Sequence, residues 1–90
     1  MTYHEVVREM KSLSSERPED YYVGTTSDPS EQKMWHCVEK DWHHYKMPSE
    51  EAASRAKEEL VDHGCEGGRD GIGDGAFVYI FRITRTTRQR

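Results

Sequence analysis

Tyr21-Tyr22-Val23-Gly24-Thr25-Thr26-Ser27-Asp28-Pro29-Ser30-Glu31 decides the fold, because two unlike structures meet inside it. Aromatic and β-branched residues predict a strand from about Tyr21 to Thr26. Asp28 can cap the free amides of a helix, Pro29 suits the first helical position, and Glu31 can reach back to the cap. A strand that runs straight into a capped helix is a common place for a site.

Outward from this junction the pattern is helical on both sides. Thr2-Tyr3-His4-Glu5 is a capping box, and Tyr3, Val6, Met10 and Leu13 recur at helical spacing. The polar stretch from Ser14 to Pro18 loops into the strand. The second helix is expected to run from Asp28 to Pro48, with Met34, Val38, Trp42 and Tyr45 along one stripe. Ser49 caps a third helix bearing Ala52, Ala53, Ala56, Leu60 and Val61, and Gly64 closes it. Five glycines between Glu66 and Ala76 predict a mobile connection. Ala76 to Ile83 is apolar on both faces apart from Arg82, which predicts a central strand.

Composition narrows the class. Ninety residues form one domain with a modest core. Charged and hydrophobic residues each make up 33% of the chain, so the aromatics must supply much of the buried area. A formal net charge of −4 argues against unspecific nucleic-acid binding over the whole surface. The sequence has no signal-peptide pattern and no apolar run long enough to span a bilayer. Cys37 and Cys65 are expected to be free thiols, which suits a cytoplasmic protein.

At the junction the sequence resembles the GIY-YIG nuclease family. Tyr22-Val23-Gly24 looks like the second triplet of that motif, Asp28-Pro29 falls at its helix start, and His36 stands at its histidine position. The similarity runs over roughly Asp20 to Ile83. It implies a metal-dependent nuclease using magnesium, with Tyr22, His36 and Glu58 or Glu59 as catalytic groups. Three departures concern the chemistry. The family's upstream tyrosine belongs on a strand about ten residues earlier, where this chain is helical around Met10 to Leu13. Gln32 replaces an arginine, and an amide cannot stabilise developing phosphate charge as guanidinium does. Alignment on Gly64 puts Lys57 at the metal-binding glutamate, with Glu58 and Glu59 adjacent. The resemblance therefore implies a degenerate, binding-only relative.

The remaining clusters read as structure. His36-Cys37, His43-His44 and His63-x-Cys65 match no zinc-ligand spacing, so no metal is expected. Trp42 and Tyr45 continue the apolar stripe, whereas Trp35 lies about 100° from Met34 around the helix, at the edge of the core. The glycine loop leads from a helix into a strand, the reverse of a phosphate loop. Arg82, Arg85, Arg88 and Arg90 give the C-terminal stretch a local positive charge suited to phosphate or carboxylate.

These observations predict an α+β fold: a small, mainly antiparallel sheet covered by about three helices, with residues 1–83 as one domain and 84–90 as a basic tail. One core should join Tyr22, Val23, Val38, Trp42, Leu60 and the last strand. The expected function is a non-catalytic module that docks to a protein or nucleic-acid partner through Tyr22, Gln32, Trp35 and His36, partly exposed together, with Arg85 and Arg88 contributing. The nuclease is the alternative. A small viral or phage protein that inhibits a host factor is a third reading.

Overall fold

The computed structural model describes residues 2–67, 75–85 and 87. Helix α1 (Tyr3–Leu13) starts from the expected capping box: Glu5 N–H donates to Thr2 Oγ1, and Thr2 N–H donates to Glu5 Oε1 at 2.7 Å. A single 3-10 turn (Pro18–Asp20) leads into β1 (Tyr21–Thr26), whose bounds are those predicted. Asp28 caps α2 (Pro29–Trp35) through Glu31 N–H, with Pro29 in the first turn. Then come β2 (Trp42–Lys46), α3 (Glu50–His63) capped by Ser49, β3 (Glu66–Gly67) and β4 (Phe77–Arg82). The protein is an α+β domain in which three α-helices accompany a mixed sheet of order β2-β4-β1-β3. β4 is antiparallel to both its neighbours, and β3 runs parallel to β1. The expectation of a central last strand is met.

The second helix is shorter than predicted. It stops at Trp35 because Val38 N–H turns back to Lys33 O and Cys37 N–H to Met34 O, the paired bonds of a Schellman motif. Cys37 takes the left-handed conformation there, with φ 61°, in the place glycine usually fills. Asp41 also has positive φ, 63°, and the chain between the two reverses into β2. Trp42 and Tyr45 therefore stand on a strand and face opposite sides of the sheet, not one helical stripe.

One core was expected, and the sheet divides it into two layers. On one face Val23, Val78 and Ile80 pack with Val6, Val7 and Met10 of α1 and with Ala53, Ala56 and Leu60 of α3. Ala53 and Ala56 are fully buried, and their small side chains let α3 lie close to the sheet. On the other face Tyr22, Val38, Tyr79 and Phe81 are buried, with Trp42 only half-buried at their edge. Tyr3 donates to Glu59 across α1 and α3, and Lys11 approaches the same carboxylate at 3.7 Å. Gly64 has φ 123°, as a helix-closing glycine requires.

The greater part of the expected mobile glycine connection, residues 68–74, lies outside the described residues. Gly75, at its far end, packs so tightly on the Thr26–Ser27 backbone that no Cβ could be added without moving main chain. Among the described residues, no helix is long and apolar enough to cross a membrane.

Candidate functional site

The second layer contains the junction. Pairing with β4 sets Tyr22 opposite Phe81, Gly24 opposite Tyr79 and Thr26 opposite Phe77, all on one face. Gly24 is needed for what happens next. A Cβ there would lie 2.5 Å from the Tyr79 hydroxyl and 2.6 Å from Cζ, so the phenol lies across the bare backbone of β1. That path brings the Tyr79 hydroxyl 2.9 Å from His36 Nε2 and 3.5 Å from Gln32 Oε1. One arrangement satisfies both contacts. His36 Nε2–H donates to the Tyr79 oxygen, and the Tyr79 O–H donates to Gln32.

His36 owes its place to the Schellman turn, which ends α2 one residue before it and folds the imidazole under the helix. The ring lies 5.1 Å from Tyr22, 4.9 Å from Phe81 and 4.9 Å from Trp35, the last contact edge-on at 86°. Trp42 extends the layer by stacking on Tyr79 at 4.7 Å and 14°, and its Nε1 donates to His44 Nδ1 at 2.8 Å.

The structure thus brings Tyr22, Gln32, Trp35 and His36 together, but with different exposure from that expected. Tyr22 is 4% exposed and His36 1%, so both lie beneath the surface. Gln32 is half-buried. Trp35, 40% exposed, and Met34, 79% exposed, form the outward part of the cluster. The His36 imidazole is bonded to the equally buried Tyr79 phenol, with the Tyr22 ring packed beside it.

Glu58 and Glu59 do not join them. α3 packs on the opposite face of the sheet, where Glu59 is held by Tyr3 and Lys11, and Glu58 is exposed. Among the described residues no group of three or more His, Cys, Asp or Glu side chains could hold a metal ion. Arg85 is exposed in a turn beyond β4, and Arg88 lies outside the described residues. A separate polar cleft of about 350 Å³ sits at the end of α1, lined by Ser12, Ser15, Arg17, Asp20 and Arg82 among others. Its Arg17 is paired with Glu19 and Asp20, and Tyr21 is its one link to the junction stretch, since Tyr22, Gln32, Trp35 and His36 do not line it.

Tyr79, expected in the core, also completes the junction, and the sequence signal for this is Gly24, since a glycine inside a strand marks close approach by another group. Met34, expected on the buried stripe, lies outside it. No family model, no curated protein and no solved structure matches the chain.

Proposed function

We propose that this domain is a non-catalytic binding module that docks a partner through the strand–helix junction. One observation carries the reading. Met34 and Trp35 are exposed on a seven-residue helix whose underside is pinned by the buried His36–Tyr79–Tyr22 cluster. A large apolar pair held by a rigid base loses little side-chain freedom on docking, which is how hot spots gain their energy. The net charge of −4 and the apolar character of the exposed pair favour a protein partner over a nucleic acid. Arg85 would add a salt-sensitive contact at the rim. The kinship suggested by Tyr22-Val23-Gly24 enters as a degenerate GIY-YIG-like domain that keeps the tyrosine, glycine and histidine as scaffold. A host factor inhibited by a small phage protein would be one such partner.

The nuclease reading uses the same Tyr22 and His36 with magnesium and needs a carboxylate beside them. Glu58 and Glu59 are on the other layer, which favours binding over hydrolysis.

The test is capture from host extract with the wild type, Met34→Ser, Trp35→Ala and Val61→Ala. Val61 is also exposed, at 41%, but it lies on α3 across the sheet. A species held by the wild type and by Val61→Ala, and released by both junction variants, supports the reading. Equal capture by all four refutes it. Cleavage of nucleic acid with magnesium that Glu58→Ala and Glu59→Ala abolish would instead favour the nuclease.

A further inference from the structure

Among the described residues strand β2 is one edge of the sheet, with no strand paired to its outer side, and that side has a specific pattern. Met47 N–H donates to Ala76 O at 2.6 Å, continuing the register that sets Trp42 opposite Phe81 and Lys46 opposite Phe77. Hydrogen-bonded and non-hydrogen-bonded pairs alternate along an antiparallel ladder. His43 and Tyr45 therefore bond inward to β4, while the amides and carbonyls of Trp42, His44 and Lys46 face outward. Natural edges are blunted by shortness, proline, bulges or charge. The opposite edge, β3, is two residues long, whereas β2 has five residues and only one charged side chain, Lys46.

We propose that β2 pairs with β2 of a second copy of this chain, antiparallel and centred on His44, joining the two sheets into one. The occupant is a second copy because the strand is complementary to itself in that register and in no face-inverting one. The three outward residues of one copy meet the three of the other, with His44 opposite His44 and Trp42 opposite Lys46 of the second copy. Their side chains share the aromatic face. There the half-buried Trp42, backed by Tyr79 at 4.7 Å, offers its indole to the ammonium of Lys46, which makes no ion pair among the described residues. On the other face His43 meets Tyr45. The exposed Asp41, just before the strand, comes to the same end of the pair as the exposed Lys46 of the second copy, so opposite charges coincide at both ends. A five-residue strand pair buries little area, so the dimer is expected to be weak and concentration-dependent.

Sedimentation velocity over a concentration series tests this on the full chain, with His44→Pro and His44→Lys beside the wild type. Proline at 44 removes an amide that points outward and leaves the inner ladder intact. Lysine at 44 keeps the backbone and sets two ammonium groups opposite each other. The wild type is expected to dimerise, and each folded variant to weaken the dimer at least about tenfold. Amide exchange should show Trp42, His44 and Lys46 gaining protection as the dimer forms, with His43 and Tyr45 protected throughout. If His44→Pro does not fold, His44→Lys alone decides. A chain that stays monomeric up to about millimolar concentration, or a dimer that His44→Lys leaves unchanged, overturns the proposal.

Discussion

Gly24→Ala tests whether the junction is built as described. The added methyl would sit 2.5 Å from the Tyr79 oxygen, 2.6 Å from Cζ and 3.1 Å from Cε2, whereas relaxed contacts between such atoms are about 3.5 Å or more. The ring must move by roughly an ångström to restore that spacing. It is 3% exposed and lies against Trp42 and His36, so the displacement is overpacking inside a filled layer, at about 1–3 kcal/mol. Moving the hydroxyl also breaks its 2.9 Å hydrogen bond with His36 Nε2, at about 0.5–1.5 kcal/mol more. Alanine regains about 0.5–1 kcal/mol of strand propensity and chain entropy. The net loss is therefore about 1–4 kcal/mol, a large part of what a domain of this size has to lose. Urea unfolding followed by tryptophan fluorescence measures it, and a double-mutant cycle assigns it. In a Tyr79→Ala background, the same substitution at Gly24 should be neutral or slightly stabilising, since the clash is gone. An equal cost in both backgrounds would mean that Tyr79 is not the group Gly24 admits, and the account of the junction would fail.

Three further outcomes follow from particular residues. Cys37→Gly should stabilise by about 1 kcal/mol in the same unfolding assay, because glycine carries no penalty in the left-handed position that Cys37 occupies. In the native protein a thiol reagent should modify the exposed Cys37 quickly. It should reach Cys65 only on unfolding, since burial shields that thiol and pushes its pKa up; two fast-reacting thiols would contradict the buried Ser14–Cys65 contact. Burial and the carboxylates of Glu59 and Glu9 raise Tyr3 and Tyr45 from 10.0 to about 12. The unfolded chain gives up these protons near pH 10 and the folded one near pH 12, so their stabilising effect is complete below pH 10 and is lost as pH rises toward 12. In ultraviolet titration Tyr3→Phe and Tyr45→Phe should each remove one late-titrating tyrosine relative to the wild type, and an unchanged late fraction in either variant would refute that residue's contact.

What was legible in this chain follows from how local each signal is. The capping box at Thr2, the Asp28-Pro29 helix start, the Ser49 cap and the Gly64 stop are each decided by neighbours within one turn, and the structure has all four. The strand bounds of Tyr21–Thr26 were equally local. The end of α2 was not. Its stop depends on Cys37 adopting a conformation that only glycine or asparagine would have announced, and the apolar residues beyond it still keep a helical spacing by coincidence. Met34, Val38, Trp42 and Tyr45 lie four, four and three residues apart, yet the structure puts them on a helix surface, in a buried loop, and on the two faces of a strand. Trp42-His43-His44-Tyr45 has the aromatic content of a strand, and Pro48 ends a strand as readily as a helix, so the period alone misled. The site suffered from the same error and from one more. His36 was correctly grouped with Tyr22, Gln32 and Trp35, because the junction and one helical turn are enough to bring them together. Its burial was not foreseen, because the group that covers it comes from 43 residues away, on a strand whose register with β1 no local pattern specifies. Gly24 was the one available clue to that register. A glycine between Val23 and Thr25 weakens a strand unless something crosses it, and the crossing group had to be an aromatic from a neighbouring strand long enough to reach His36.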